Sequence, residues 1–259
     1  MKENYNENLK TKLRSRELVF GAWISFDHPS IAEVFSLAGF DFIGIDMEHA
    51  PISLSSAQRI IASAQANNVA CLPRPVSHNN DVIKPLLDSG SDGLIAPMVN
   101  SPDDVKAILN HLKYPPNGKR TYGLNRAQGY GFSFDEYVRK WNKDSIFIPQ
   151  IESKGAVDKI DLILKDDEVD GVMIGPYDLS GSYGVPGETD HPLVTKACQK
   201  VIASCKKFGK SCGTQVVQTD RESIDLLIET GYTFIILSSD LFVMWKWSEG
   251  MKSLMSNYK

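Results

Sequence analysis

The sequence predicts a (β/α)8 TIM barrel. Three observations carry that reading: eight apolar runs of strand length, amphipathic stretches of helical period between them, and no glycine-rich dinucleotide fingerprint after the first run. The first two describe alternating β and α units. The third argues against an open doubly wound sheet, the main alternative. A length of 259 residues suits one such barrel.

The runs are 19–24, 42–46, 70–74, 93–97, 146–151, 171–174, 211–217 and 233–237. Several are almost continuously apolar, as strands covered on both faces should be. Between them, residues 30–38 gather Ile31, Val34, Phe35 and Leu37 on one side. Residues 55–67, 81–89 and 102–112 follow the same pattern, as do 154–164, 192–208, 221–230 and 241–255. Ser101 and Asp220 are N-cap signals, and Gly39, Gly90, Gly209 and Gly231 supply left-handed helix ends. Residues 114–145 break the alternation. They are expected to form an elaborated loop on the catalytic face, with Arg120 and Arg126 within reach of a second acidic group on a substrate. The chain therefore reads as a single domain over 1–259, with a lead-in helix in 1–17 and a C-terminal helix in 241–259.

Apolar residues at 42% and charged residues at 23% exclude a largely disordered or collagen-like chain. The balance of 28 basic against 32 acidic residues gives −4, so no global charge favours nucleic acid or an anionic membrane. No apolar run is long enough to span a bilayer, and residues 1–17 lack the apolar segment of a secretory signal. Cys71, Cys198, Cys205 and Cys212 form no C-x-x-C pair and no zinc spacing. Free thiols in a cytoplasmic protein are the expectation.

In such a barrel the chemistry sits at the C-terminal ends of strands. The second strand ends in Asp46-Met47-Glu48-His49, the third in Arg74, and the fifth in Gln150-Ile151-Glu152. The sixth runs into Gly175-Pro176-Tyr177-Asp178. Glu152 and Asp178 are hard oxygen donors suited to Mg²⁺ or Mn²⁺, and equally to helix caps or ion pairs. His49 is the best placed of the histidines for proton transfer, with Asp46 or Asp88 as the partner that fixes its tautomer. His28, after the first strand, is a second pocket candidate, whereas His191 before Pro192 reads as a helix start. Arg74 could hold a carboxylate or an oxyanion, and the backbone of the Gly-Pro turn at 175–178 could receive an anion. The chain has no G-x-S-x-G elbow, no Walker A loop and no H-E-x-x-H. Lys84 and Lys154 fall in helical stretches, which favours metal activation of a carbonyl over imine formation.

Taken in order, several segments resemble the HpcH/HpaI family of class II, metal-dependent pyruvate aldolases. They are Gly39-Phe40-Asp41-Phe42, Asp46-Met47-Glu48-His49-Ala50-Pro51, Arg74-Pro75, residues 83–90, Pro97-Met98-Val99, Tyr114-Pro115-Pro116, Gln150-Ile151-Glu152 and residues 174–180. The resemblance runs from about Phe20 to Leu241 and includes aldolases of 4-hydroxy-2-oxoheptanedioate and 2-keto-3-deoxy acids. It implies cleavage of a 4-hydroxy-2-oxoacid to pyruvate and an aldehyde through a metal-stabilised enolate. By resemblance, Glu152 and Asp178 hold the divalent metal: Mg²⁺ or Mn²⁺ first, with Co²⁺ or Zn²⁺ as alternatives. Arg74 contacts the keto oxygen, and the backbone near Tyr177 and Asp178 takes the carboxylate. His49 with Asp46 or Asp88 is the acid–base group, and Gln150, Gly175 and Pro176 adjoin the substrate. The resemblance also implies a homohexamer, a trimer of dimers exchanging C-terminal helices, with neither nucleic acid nor membrane as partner. Met47 and Tyr177 stand where glycine and alanine are common, and Gly213-Thr214-Gln215 is more polar than usual. Alternatives on the same site are an acyl-thioester lyase or a pyruvate-condensing or decarboxylating enzyme, and beyond these a non-catalytic barrel.

Overall fold

A computed structural model describes residues 5–258; residues 1–4 of the expected lead-in helix and residue 259 of the C-terminal helix lie outside them. The strands are β1 Val19–Ile24, β2 Phe42–Asp46, β3 Ala70–Arg74, β4 Gly93–Ala96, β5 Ile146–Ile151, β6 Gly171–Ile174, β7 Ser211–Val216 and β8 Phe234–Ser239. The helices are α1 Tyr5–Ser15, α2 Pro29–Leu37, α3 Leu54–Ala66, α4 Asn80–Asp88, α5 Pro102–Leu112, α6 Phe134–Asp144, α7 Lys154–Asp158 and α8 Ile160–Ile163. They continue with α9 Pro176–Ser182, α10 Pro192–Phe208, α11 Arg221–Thr230 and α12 Asp240–Ser256. The strand order is β3-β2-β1-β8-β7-β6-β5-β4, and the paired strands are parallel, giving the nearly closed barrel the sequence predicts.

Two apolar layers follow from the two faces of each strand. Trp23, Phe42, Leu72, Ile95, Ile148, Met173, Phe234 and Ile236 fill the lumen, while the outward side chains pack under the helices. Leu9 and Leu13 of α1 enter the lumen from the end where the strands begin and form its floor.

The floor is held by a repeated device. One residue before each even-numbered strand, a backbone N–H donates to the preceding strand, and the same residue's side chain accepts an N–H back. Asp41 N–H donates to Phe20 O at 2.8 Å, and its carboxylate accepts from Phe20 N–H at 2.9 Å. Asp92 does the same with Cys71 at 3.0 and 2.8 Å, joining β3 to β4 at the two ends of the strand order. Asp170 does so with Phe147 at 3.0 Å each way. Thr233 does so with Cys212 at 2.8 and 3.0 Å, using its hydroxyl. Asp170 also anchors α1, accepting from Lys10 Nζ at 3.0 Å and Arg14 Nε at 2.7 Å.

Three expectations need correction. Residues 114–145 are not a loop on the catalytic face. They leave a helix and enter a strand, which puts them at the floor, and they contain a 3-10 helix at Arg126–Gly131 as well as α6. Arg120 is accordingly buried among Tyr114, Tyr137 and Trp141, with ring centroids 4.7–5.5 Å away, and pairs with Asp88 at 2.9 Å. Arg126 holds Gln65 Oε1 at 2.7 Å, so neither arginine reaches the mouth. The single helix expected at 154–164 is two short ones, α7 and α8. The turn at 175–178 opens into a helix, α9. All four cysteines are free, as expected. Among the described residues no helix is long and apolar enough to cross a membrane.

Asp170→Ala strands the buried Lys10 ammonium and frees α1, and is expected to cost about 3–5 kcal/mol in a denaturant titration. Asp92 tests the pH dependence. Burial raises its carboxyl from 3.8 to about 6, against the bonds from Gln65 and Cys71 and the charge of Arg126. The native state therefore takes up this proton before the unfolded chain does. The cost of burial is absent well below pH 4, grows as pH rises towards 6, and is complete above it. Asp92→Asn keeps an acceptor for both N–H donors. It is expected to gain up to about 3 kcal/mol on wild type at pH 7.5, a gain that disappears by about pH 4.

Candidate active site

Arg74 ends β3 with its guanidinium at the barrel mouth, 11% exposed and fixed on every side. Asp46 Oδ1 accepts from Nη2 at 2.9 Å and from Nε at 3.1 Å. Gln150 Oε1 accepts from Nη1 at 3.4 Å, and the Trp23 ring lies 4.9 Å away. Trp23 takes that position because residue 44 has no side chain: a Cβ there would sit 2.4 Å from the indole. A lumen glycine thus sets the platform on which a mouth arginine rests.

Glu152 follows β5 and is buried. Met98 N–H donates to Oε1 and Gln150 Nε2 to Oε2, both at 2.5 Å. Met98 reaches it from a left-handed backbone, φ 49°, that a side-chain-bearing residue adopts only at a cost. Gln150 spends one end of its amide on Arg74 and the other on Glu152. Gly175, the N-cap of α9, makes room beside them, since a Cβ there would lie 2.9 Å from Glu152 Oε2. Burial pushes the Glu152 carboxyl up, and the charges of Glu48 and Asp178 push it further, opposed by Met98 N–H and Arg74.

Glu48 completes the cluster. Its Oε2 lies 3.3 Å from Arg74 Nε but accepts no hydrogen bond, because Nε is committed to Asp46. Burial raises this carboxyl too; Arg74 and His49 pull it down, and Asp46 and Asp178 push it up. The same oxygen lies 3.6 Å from His49 Nε2, whose ring is 65% exposed at the rim. Asp178 and Tyr177 are exposed in the first turn of α9, beside the half-buried Pro176.

Asp46, Arg74, Gln150, Glu152, Gly175, Pro176, Tyr177, Asp178 and His49 therefore share the mouth. Two expectations about His49 change. Asp46 accepts the backbone N–H groups of Glu48 and His49 at 3.2 Å, so it shapes the turn, and the carboxylate facing the imidazole is that of Glu48. Asp88 is the last residue of α4, at the floor, and its partner is Arg120. His28 also leaves the set, capping α2 through Nδ1 at 3.2 Å from Ser30 N. Glu48 was visible in the sequence only as a neighbour of His49, because it lies in the turn after β2, where the strand's alternation no longer applies. The supporting roles of Trp23 and Met98 N–H carried no sequence signal.

Among the described residues, no three His, Cys, Asp or Glu side chains converge closely enough to hold a metal by themselves. The donors present are nonetheless those of a hard divalent cation. They are all carboxylate oxygens, they raise one another's affinity for positive charge, and one buried Glu48 oxygen accepts no hydrogen bond. Two carboxylates leave the remaining positions for water and substrate oxygens. The cavity beside them, about 760 Å³, runs from Arg74 and Gln150 past Tyr177 to Gln215 and Phe242.

The profile of the HpcH/HpaI aldolase/citrate lyase family matches residues 19–246. A hydroxypyruvate/pyruvate aldolase of Sagittula stellata is 33% identical, covering 89% of this chain and 90% of its own. A 2-keto-3-deoxy-L-rhamnonate aldolase of Escherichia coli is 33% identical over 82% of this chain and 79% of its own. The crystal structure of an HpcH/HpaI aldolase/citrate lyase family protein from Burkholderia cenocepacia superposes with a TM-score of 0.89. It has 30% identity and covers 98% of this chain and 100% of that one.

Gly175→Ala is expected to displace the Glu152 carboxylate at a stability cost of about 1–3 kcal/mol. Mn²⁺ affinity, read by electron paramagnetic resonance titration, should fall about tenfold or more.

Proposed function

Because the chain belongs to the HpcH/HpaI aldolase/citrate lyase family, we propose that it is a divalent-metal-dependent aldolase. It reversibly cleaves a 4-hydroxy-2-oxoacid to pyruvate and an aldehyde. The observation that carries this reading is the Arg74–Gln150–Glu152 chain, which locks a guanidinium beside a buried carboxylate at the mouth.

Retro-aldol cleavage breaks C3–C4 and leaves negative charge on the C2 oxygen of the pyruvate fragment. Arg74, unable to swing, donates to that oxygen as the charge grows, which favours the transition state over the ground state. Glu152 and Asp178 would hold Mg²⁺ or Mn²⁺, which supplies Lewis-acid stabilisation at the keto group. The backbone N–H groups of Tyr177 and Asp178 at the start of α9, next to Pro176, receive the pyruvate carboxylate, and Gln150 keeps Arg74 aimed. His49 takes the C4-hydroxyl proton in cleavage and returns one in synthesis, with Glu48 facing its Nε2 and Asp46 holding the turn that carries it.

The C-terminal helix supports the homohexameric reading. From Leu241 onward α12 buries no residue, and Val243, Met244, Trp245 and Trp247 are about half exposed, an apolar surface for exchange with a second copy. Four free thiols support a reducing cytoplasm.

Solvent-deuterium exchange at the pyruvate methyl group, together with pyruvate release from a 4-hydroxy-2-oxoacid, tests the proposal. Chelation is expected to abolish both, and Mn²⁺ or Mg²⁺ to restore them. Glu152→Gln should lose at least about 100-fold. Arg74→Lys should lose a similar factor, since an ammonium cannot reproduce the guanidinium fork. Activity indifferent to chelation, or kept in Glu152→Gln, would sink the mechanism. Exchange without aldehyde turnover would point to a pyruvate-condensing enzyme.

A further inference from the structure

The barrel has a seam. The strand order begins at β3 and ends at β4, and these two strands lie side by side where the sheet closes. At the floor Asp92 clasps them through Cys71. At the mouth the clasp is a histidine. His78 is half-buried in the loop that leads from Arg74 to α4, and its Nε2 reaches the carbonyl oxygen of Pro97, just beyond β4. A carbonyl only accepts, so Nε2 carries the hydrogen and donates.

The Pro97 carbonyl and the Met98 N–H belong to one peptide group. That N–H is the donor to Glu152 Oε1, at 2.5 Å. One peptide plane therefore joins His78 on its oxygen to Glu152 on its nitrogen. A donor on the oxygen polarises the amide and strengthens its N–H as a donor. It also fixes the orientation of the plane, which matters because Met98 enters a left-handed conformation at φ 49°. The next peptide is held as well. Asn100 Nδ2 donates to Met98 O at 2.8 Å, and Ser153 Oγ, beside Glu152 in the chain, donates to Asn100 Oδ1.

We propose that His78 is a positioning residue for Glu152. By donating to Pro97 O it holds the Met98 N–H on the carboxylate and fixes the carboxylate's rotation before a cation binds. The inference rests on the aldolase reading above, in which Glu152 is a metal ligand. His78 itself touches neither metal nor substrate and moves no proton in the reaction.

Selective nitrogen-isotope labelling of methionine in the metal-free protein reads the peptide directly, and Met98→Leu assigns its amide signal. His78→Phe is expected to move the Met98 amide proton upfield and to speed its exchange with solvent. It should also weaken Mn²⁺ binding about tenfold, the loss expected when a group supporting a metal ligand is removed. His78→Gln presents an N–H at nearly the same reach from Cβ. It should restore the amide signal and bring Mn²⁺ affinity to within about threefold of wild type. Should the phenylalanine variant fail to fold, His78→Ala, which adds no bulk, carries the same readouts. An amide signal that stays in place, an unchanged Mn²⁺ affinity, or a glutamine variant no better than phenylalanine overturns the proposal. Those outcomes leave the aldolase reading intact when wild type binds Mn²⁺ and exchanges pyruvate protons. A wild type that does neither sinks that reading, and this inference with it.

Discussion

Closing a parallel sheet into a barrel leaves a specific problem at the floor, where each strand begins and its neighbour's first N–H can face no partner. Here the residue before every even-numbered strand answers it with its own side chain: Asp41, Asp92, Asp170 and Thr233. Each fixes one strand pair in register by two hydrogen bonds made between the same two residues. Everything at the mouth inherits that register. A slip of one residue would turn Arg74, Gln150 and Glu152 out of the lumen, because side-chain direction alternates along each strand. The chemistry of the mouth is thus set from the opposite end of the barrel.

The mouth carries the opposite burden. Asp46, Glu48 and Glu152 are buried or half-buried around one arginine, with Asp178 near enough to raise two of them. Burial alone disfavours this much negative charge. It is partly offset by donors that cannot move away: the Met98 backbone, the Gln150 amide and a guanidinium resting on Trp23. The Met98 peptide holds a left-handed conformation to make its contribution. Backbone strain and concentrated negative charge lie together at one point, as they do where a site is organised for function.

The strands were legible because their period and apolarity are local properties, and so were the mouth residues that end them. Three features were not. Asp88 and His49 looked like partners, yet α4 runs from mouth to floor and carries Asp88 to the far end. Glu48 was overshadowed by Asp46, since only coordinates tell which carboxylate faces an imidazole and which holds a backbone turn. The floor device did leave a trace: Gly39-x-Asp41, Gly90-x-Asp92 and Gly231-x-Thr233 each pair a helix-ending glycine with the bracketing residue two positions on. No fixed period links them, because the intervening helices and loops differ in length.

The misplacement of Arg120 and Arg126 follows from a rule the sequence did contain. In an alternating βα chain, a segment after a strand lies at the mouth and a segment after a helix lies at the floor. Residues 114–145 follow α5, so their length and their arginines belong to the floor whatever their composition suggests. Arg120 is a cation enclosed by three aromatic rings and one aspartate, an arrangement that fastens α6 and the preceding turn to α4. The same rule places Asp92 and Asp170 at the floor, and Glu152 and Asp178 at the mouth. Two aspartates eight residues apart, Asp170 before a strand and Asp178 after it, thereby come to lie at opposite ends of the barrel from chain direction alone.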